Sequence, residues 1–126
     1  MNNQKNIVLC GVGGQGTVLA SKLLAAAAMS KDIPVMSAET IGMAQRGGSV
    51  FSHLRMGDNL YSPMIETGTA DLIIGFEPGE TVRMLPYLKD HGHIVVSTRA
   101  VKPVTATLSG SDYDAPQMLE YLKAAV

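Results

Sequence analysis

Apolar residues in this chain come in short runs set between glycine-rich turns, a spacing that predicts alternating strands and helices. Residues 6–10, NIVLC, form a compact run of the kind buried inside a sheet, and residues 17–29 have the Ala, Leu and Lys content of a strong helix former. Residues 33–38 supply a second strand, with Pro34 close enough to its start for the missing N–H to be tolerated. Together these segments predict a β-α-β unit with a right-handed, parallel crossover.

The next stretch, ETIGMAQRGGSVFSHLRMGDNLYSPMI, breaks this rhythm, because glycines recur and residues 49–56 alternate. Val50, Ser52, Leu54 and Met56 share one face of the predicted strand, while Phe51, His53 and Arg55 share the other. Gly57-Asp58-Asn59 reads as a turn, so residues 60–62 are expected to return antiparallel and complete a hairpin. Residues 71–76 and 93–98 are further buried strands, and residues 102–108 a weaker one. Pro78 suits the first turn of a helical segment running to Lys89, which Pro86 should break or kink. Residues 115–125 form a last helix with Met118, Leu119 and Leu122 on one side. The predicted fold class is α/β: a three-layer α/β/α domain over residues 1–126 around a mixed, mainly parallel, Rossmann-like sheet. The alternation halts at Val126 without the strand that usually comes next, so a C-terminally truncated domain is expected.

Composition narrows the partners. With 46% apolar and 17% charged residues, 13 glycines and no tryptophan, the chain has the make-up of a compact globular domain whose core is filled by methyl-bearing side chains. Ten basic residues against eleven acidic ones leave a net charge of -1, which provides no long-range field for nucleic acid or an anionic membrane. The longest unbroken apolar run, residues 23–29, is too short to span a bilayer. The lone cysteine, Cys10, allows no intrachain disulfide and no cluster-ligating set of thiolates, and no cationic, hydrophobic leader precedes the first strand. A cytoplasmic setting is expected, with any redox centres carried by another chain.

Candidate chemistry gathers at strand ends, where ligand crevices of open α/β sheets lie. GVGGQGT, residues 11–17, places Gly11, Gly13 and Gly16 in a GxGxxG spacing between a strand and a helix. Its backbone N–H groups and the helix N-terminus suit a phosphate; the alternative is a tight turn that needs glycine only for packing. Glu39, 23 residues beyond Gly16, stands near the place of a ribose-binding acid in dinucleotide domains or else tethers a loop. Gln45-Arg46-Gly47-Gly48 sets a planar cation beside two open backbone units, which suits a carboxylate or phosphate as well as a plain salt bridge. His53 and Arg55 point the same way, toward a ligand, a partner or solvent. Glu77 and Thr98-Arg99 end two further strands, and Cys10 reads as a small core residue. No histidines sit at metal-ligand spacing, so no metal is predicted, and no catalytic acid or base is assigned.

Three segments in order, GVGGQGTVLASKLLAAAA, AETIGMAQRGGSVFSHLRMGDNLYSPMI and ADLIIGFEPGETVRMLPYLK, make the chain resemble the gamma-type domain of 2-oxoacid:ferredoxin oxidoreductases. The GMAQRGGSVFSHLR version is nearest to the indolepyruvate branch of that family. The resemblance covers about residues 6–100. It implies a subunit of an enzyme that decarboxylates a 2-oxo acid with thiamine diphosphate, joins the acyl group to coenzyme A and passes electrons through iron–sulfur clusters to ferredoxin. The thiamine and the clusters are then held mainly by partner subunits, and this chain binds no cofactor alone. Gly11, Gly13, Gly14, Gln15 and Gly16 match the family's loop, with Thr17 opening the helix; Glu39, Gln45, Arg46, Gly47, Gly48 and His53 match its second motif. A homodimer of the isolated chain is a further expectation. The rivals are a self-standing Rossmann-like NAD(P)-binding protein and a module whose glycines serve packing alone.

Overall fold

A computed structural model describes residues 4–41, 49–98 and 115–125. The order of elements is β1 (Lys5–Val12), α1 (Thr17–Ser30), β2 (Val35–Ile41), β3 (Ser49–Met56), β4 (Ala70–Gly75), α2 (Pro78–Arg83), a 3-10 turn (Leu85–Tyr87), β5 (Leu88–Val96) and α3 (Ala115–Ala125). The strands form one sheet in the order β2-β3-β1-β4-β5. β1 pairs parallel with β4 and β4 with β5, while β3 lies antiparallel to both β1 and β2. The fold is therefore α/β with a mixed sheet in which, among the described strands, β3 alone is reversed.

That reversal corrects the expected hairpin. Residues 60–62 form no strand; β3 instead inserts between β1 and β2, pairing Val12 with Ser49 on one edge and Ile41 with Val50 on the other. The crossover through α1 thus joins strands that point the same way without being neighbours. Insertion satisfies the backbone of β3 on both edges and buries both its faces, with Ser52, His53 and Leu54 all at 1% exposure or less. Residues 49–56 alternate in a way that announces a strand but carries no address for its partners.

The segment after β4 is also shorter than predicted. Glu77 caps α2 by accepting the Glu80 N–H at 3.0 Å, and Pro78 occupies the first turn as expected. The helix stops at Arg83, Pro86 lies in the 3-10 turn, and β5 starts at Leu88, ahead of residue 93. β5 carries an irregularity: His91 has φ 62°, and the register with β4 shifts between Ala70 and Leu72. The weaker strand expected at residues 102–108 lies outside the described residues.

Neighbouring residues of β1 show how the helices are layered. Cys10 faces α2, with its Sγ 3.8 Å from Thr81 Oγ1, whereas a Cβ on Gly11 would lie 2.7 Å from Thr17 Oγ1 of α1. Alternation along a strand sends these two residues to opposite faces, so α1 and α2 cover opposite faces, and α3 packs on α2. Val8, Cys10, Ile65, Ala70, Ile73 and Met84 form the core on the α2 side, and each fully buried large apolar side chain contributes about 1.5–3 kcal/mol. The crossover through α1 runs one way along the sheet and that through α2 the other, which places the topological switch between β1 and β4. Among the described residues no helix is long and apolar enough to cross a membrane.

Candidate functional site

The glycine loop leaves β1 at this switch point. Gly14 (φ 93°) and Gly16 (φ 89°) adopt left-handed conformations that side chains resist, and Gly16 stands at the N-cap of α1 without a side-chain cap among the described residues. The first-turn N–H groups of this 14-residue helix therefore open toward the loop rather than onto a capping oxygen. A cleft of about 520 Å³ lies there, lined by Val12, Val18, Leu19, Val50 and the loop residues Gly13, Gly14, Gly16 and Thr17, with no carboxylate among the described residues of its wall. The Thr17 hydroxyl is buried and has no hydrogen-bond partner among the described residues. N–H groups, an unused hydroxyl and a positive helix end together suit a phosphate.

Gln15 does not point into this space as a free ligand. Its Oε1 accepts the Val12 N–H at 2.7 Å, and its Nε2 donates to the Phe76 carbonyl oxygen at 3.1 Å. Phe76 N–H in turn donates to the Cys10 carbonyl at 2.8 Å, so the turns after β1 and β4 are laced together. Gly11 leaves room for this: a Cβ there would lie 2.8 Å from Gln15 Oε1.

Other sequence-derived candidates lie apart. Glu39 sits within β2 on the exposed edge of the sheet, with β3 between it and β1. Two strand spacings, about 10 Å, thus separate it from the glycine-loop strand, whereas a ribose-binding acid ends the strand next to that one. His53 is buried rather than on a solvated face: its Nδ1 accepts the Ile65 N–H at 2.9 Å, and its ring packs at 5.4 Å from those of Phe51 and Tyr87. Burial lowers its pKa. Arg55 is half-buried and donates to Asn6 Oδ1, the Ser62 carbonyl and Gln4 Oε1. Cys10 is buried in the core, and burial, with smaller contributions from Glu80 and Glu77 against the Thr81 contact, pushes its thiol up to about 12. Gln45, Arg46, Gly47, Gly48 and Arg99 lie outside the described residues.

One cluster beside the loop was not singled out from the sequence. Ser49 Oγ donates to the buried Glu80 Oε1 at 2.6 Å, and Arg83 reaches both Ser49 Oγ, at 3.1 Å, and Glu80, at 3.5 Å. Ser49 pairs with Val12 across the sheet, so the cluster depends on a strand pairing that no local pattern states. A larger hollow of about 950 Å³ lies between the start of β5, the 3-10 turn and Tyr121 of α3. It opens at the opposite end of the strands from the glycine loop, away from the switch point.

A mixed α/β sheet with a glycine loop at its switch point is an open α/β arrangement, a type in which ligand crevices lie outside the carboxyl ends of the parallel strands. Residues 6–124 match the model of the pyruvate ferredoxin/flavodoxin oxidoreductase family, and the chain belongs to that family. It is 42% identical over 108 residues to the indolepyruvate oxidoreductase subunit IorB of Methanothermobacter thermautotrophicus, covering 86% of this chain and 55% of the relative. It is 44% identical over 108 residues to IorB of Archaeoglobus fulgidus, covering 86% and 53%. The chain spans about half the length of the curated relatives it matches. Among solved structures, the pyruvate oxidoreductase subunit PORC of Thermotoga maritima superposes with a TM-score of 0.61 at 22% identity, over 86% of this chain and 56% of that one. A 2-oxoglutarate:ferredoxin oxidoreductase from Magnetococcus marinus gives 0.69 at 19% identity, over 90% and 18%. These two structures share the fold.

Proposed function

We propose that this chain serves as the gamma-type part of a thiamine-diphosphate-dependent 2-oxoacid:ferredoxin oxidoreductase of the indolepyruvate kind, within a cytoplasmic complex. In this reading its glycine-loop cleft takes a phosphate of coenzyme A and faces the thiamine-bearing subunit. The observation that carries the reading is the N-terminus of α1, which among the described residues has no side-chain cap, no partner for the buried Thr17 hydroxyl and no carboxylate in the cleft beside it, with Gly14 and Gly16 left-handed. Gly13, Gly14, Gly16 and Thr17 bind the phosphate, and Gln45, Arg46, Gly47 and Gly48, which match the family's second motif, contribute to recognising it. Glu39 and His53 take no part in holding it: one lies on the sheet edge and the other is committed to the Ile65 N–H. Coenzyme A supplies the thiol that accepts the acyl group, and this chain's residues bind and orient it. Iron–sulfur clusters and thiamine diphosphate belong to the partner subunits, and ferredoxin receives the electrons through them.

The test is recovery of the tagged chain from its native cell, followed by calorimetry on the recovered assembly. A thiamine- and cluster-bearing partner should copurify, and coenzyme A should bind, about tenfold more weakly after Thr17→Val or Gly14→Val. Nicotinamide nucleotide binding that depends on Glu39, with none of coenzyme A, would overturn the proposal.

A further inference from the structure

The geometry points to Gln15 as the positioning residue of the glycine loop, acting through backbone groups on two strands and not through contact with the ligand. This rests on the phosphate-binding reading of the same loop. A side-chain amide offers a donor and an acceptor in one fixed plane, and both are used: Oε1 on the Val12 N–H at 2.7 Å and Nε2 on the Phe76 carbonyl at 3.1 Å. Neither bond is incidental to the sheet. Val12 is the last residue of β1, and Phe76 follows directly on β4, so the amide spans the switch point where the two crossovers diverge.

The bridge is one side of a closed circuit. From Phe76 the chain passes to Glu77, whose carboxylate accepts the Glu80 N–H at 3.0 Å; Glu80 accepts Ser49 Oγ at 2.6 Å; and Ser49 pairs with Val12, where the circuit began. β1, β3, β4 and α2 are thus held in one frame around the base of the loop. Gly14 and Gly16 give the loop conformational freedom, and the frame removes it at the root, which lowers the ordering cost of binding. Leucine or methionine at this position fills similar space yet leaves the Val12 N–H and the Phe76 carbonyl without their partner. Glutamate keeps the acceptor for Val12 and loses the donor for Phe76.

Amide hydrogen exchange and calorimetry on the full chain in its assembly test this together. In Gln15→Met, the Val12 amide should exchange at least about tenfold faster, and coenzyme A, used as the probe, should bind about tenfold more weakly. In Gln15→Glu, Val12 should stay protected while affinity still falls. Asp71→Asn serves as the control, because it weakens the contacts of Asp71 with Lys89 and the Asn6 N–H at the far end of β4; it should lower stability and leave affinity unchanged. Lost affinity in Gln15→Met with unaltered Val12 exchange would make Gln15 a ligand contact and overturn the inference, as would faster exchange with unaltered affinity. If the unsubstituted assembly fails to bind coenzyme A, the functional reading fails, and inorganic phosphate replaces it as the probe for Gln15.

Discussion

Gly75 of β4 and Thr81 of α2 are packed so closely that a Cβ on Gly75 would lie 1.7 Å from Thr81 Oγ1 and 2.8 Å from Thr81 Cβ. The missing side chain is what lets α2 settle on the sheet near Cys10, whose Sγ is 3.8 Å from the same hydroxyl. Thr81 Oγ1 donates to the Glu77 carbonyl at 2.7 Å, so it has little room to turn away. Gly75→Ala should destabilise the fold by about 1–3 kcal/mol through overpacking. The double variant Gly75→Ala/Thr81→Ala should recover part of that loss in urea unfolding. A fully additive pair would mean that the two residues do not compete for space.

His53 gives the protein an acid sensitivity whose sign follows from its burial. With Nδ1 accepting the Ile65 N–H, the ring's own proton lies on Nε2, and a second proton would displace that bond. Burial holds the folded pKa below the ordinary value, so the unfolded chain takes up the proton first. Stability from this site is complete above about pH 6.5 and declines as pH falls below it. Urea unfolding between pH 7.5 and 5.5 should show this slope, and His53→Gln, which keeps an acceptor for Ile65, should flatten it. An equal slope in both proteins would assign the effect to other groups.

Cys10 should behave as an inert core thiol. Its pKa is pushed up to about 12 and the side chain is buried, so at pH 8 roughly a thousandfold fewer thiolates are present than for an ordinary cysteine, and alkylating reagents lack access. Iodoacetamide should label it only at the rate of unfolding, as read by intact mass. Rapid labelling under native conditions would refute this placement.

Ser49 and Glu80 define the fourth prediction. Ser49→Ala removes the hydroxyl donor to the buried Glu80 carboxylate and leaves it the ion pair with the largely exposed Arg83. A buried carboxylate that loses a 2.6 Å hydrogen bond should cost about 1–3 kcal/mol. Glu80→Gln, which keeps a polar end against Ser49, should cost less than Glu80→Ala. Thermal unfolding of the three variants separates these outcomes, and equal losses for Gln and Ala would remove the hydrogen bond from the account.

Much of the local structure was written in the residue pattern. The apolar run NIVLC, the Ala-rich stretch and the Glu77-Pro78 start signal place β1, α1 and the start of α2 near their observed limits, because those signals act over one or two turns of chain. The glycine loop was legible for the same reason: left-handed φ values and an open helix end are requirements that glycine alone meets cheaply. The family was legible because three motifs recur in a fixed order.

Pairing and burial were decided elsewhere. Alternation in residues 49–56 specifies a strand and two faces but not which edges it joins, so the insertion of β3 between β1 and β2 had to come from the tertiary fold. That insertion moved Glu39 away from the glycine loop, buried His53 and brought Ser49 to Glu80. Gln15 is the sharpest case: its sequence position marks it as a loop residue, and only the packing of β4 beside β1 turned its amide toward Phe76. Conformational preference is local and can be read along the chain, whereas a hydrogen bond between residues 61 positions apart exists only once the sheet has chosen its order.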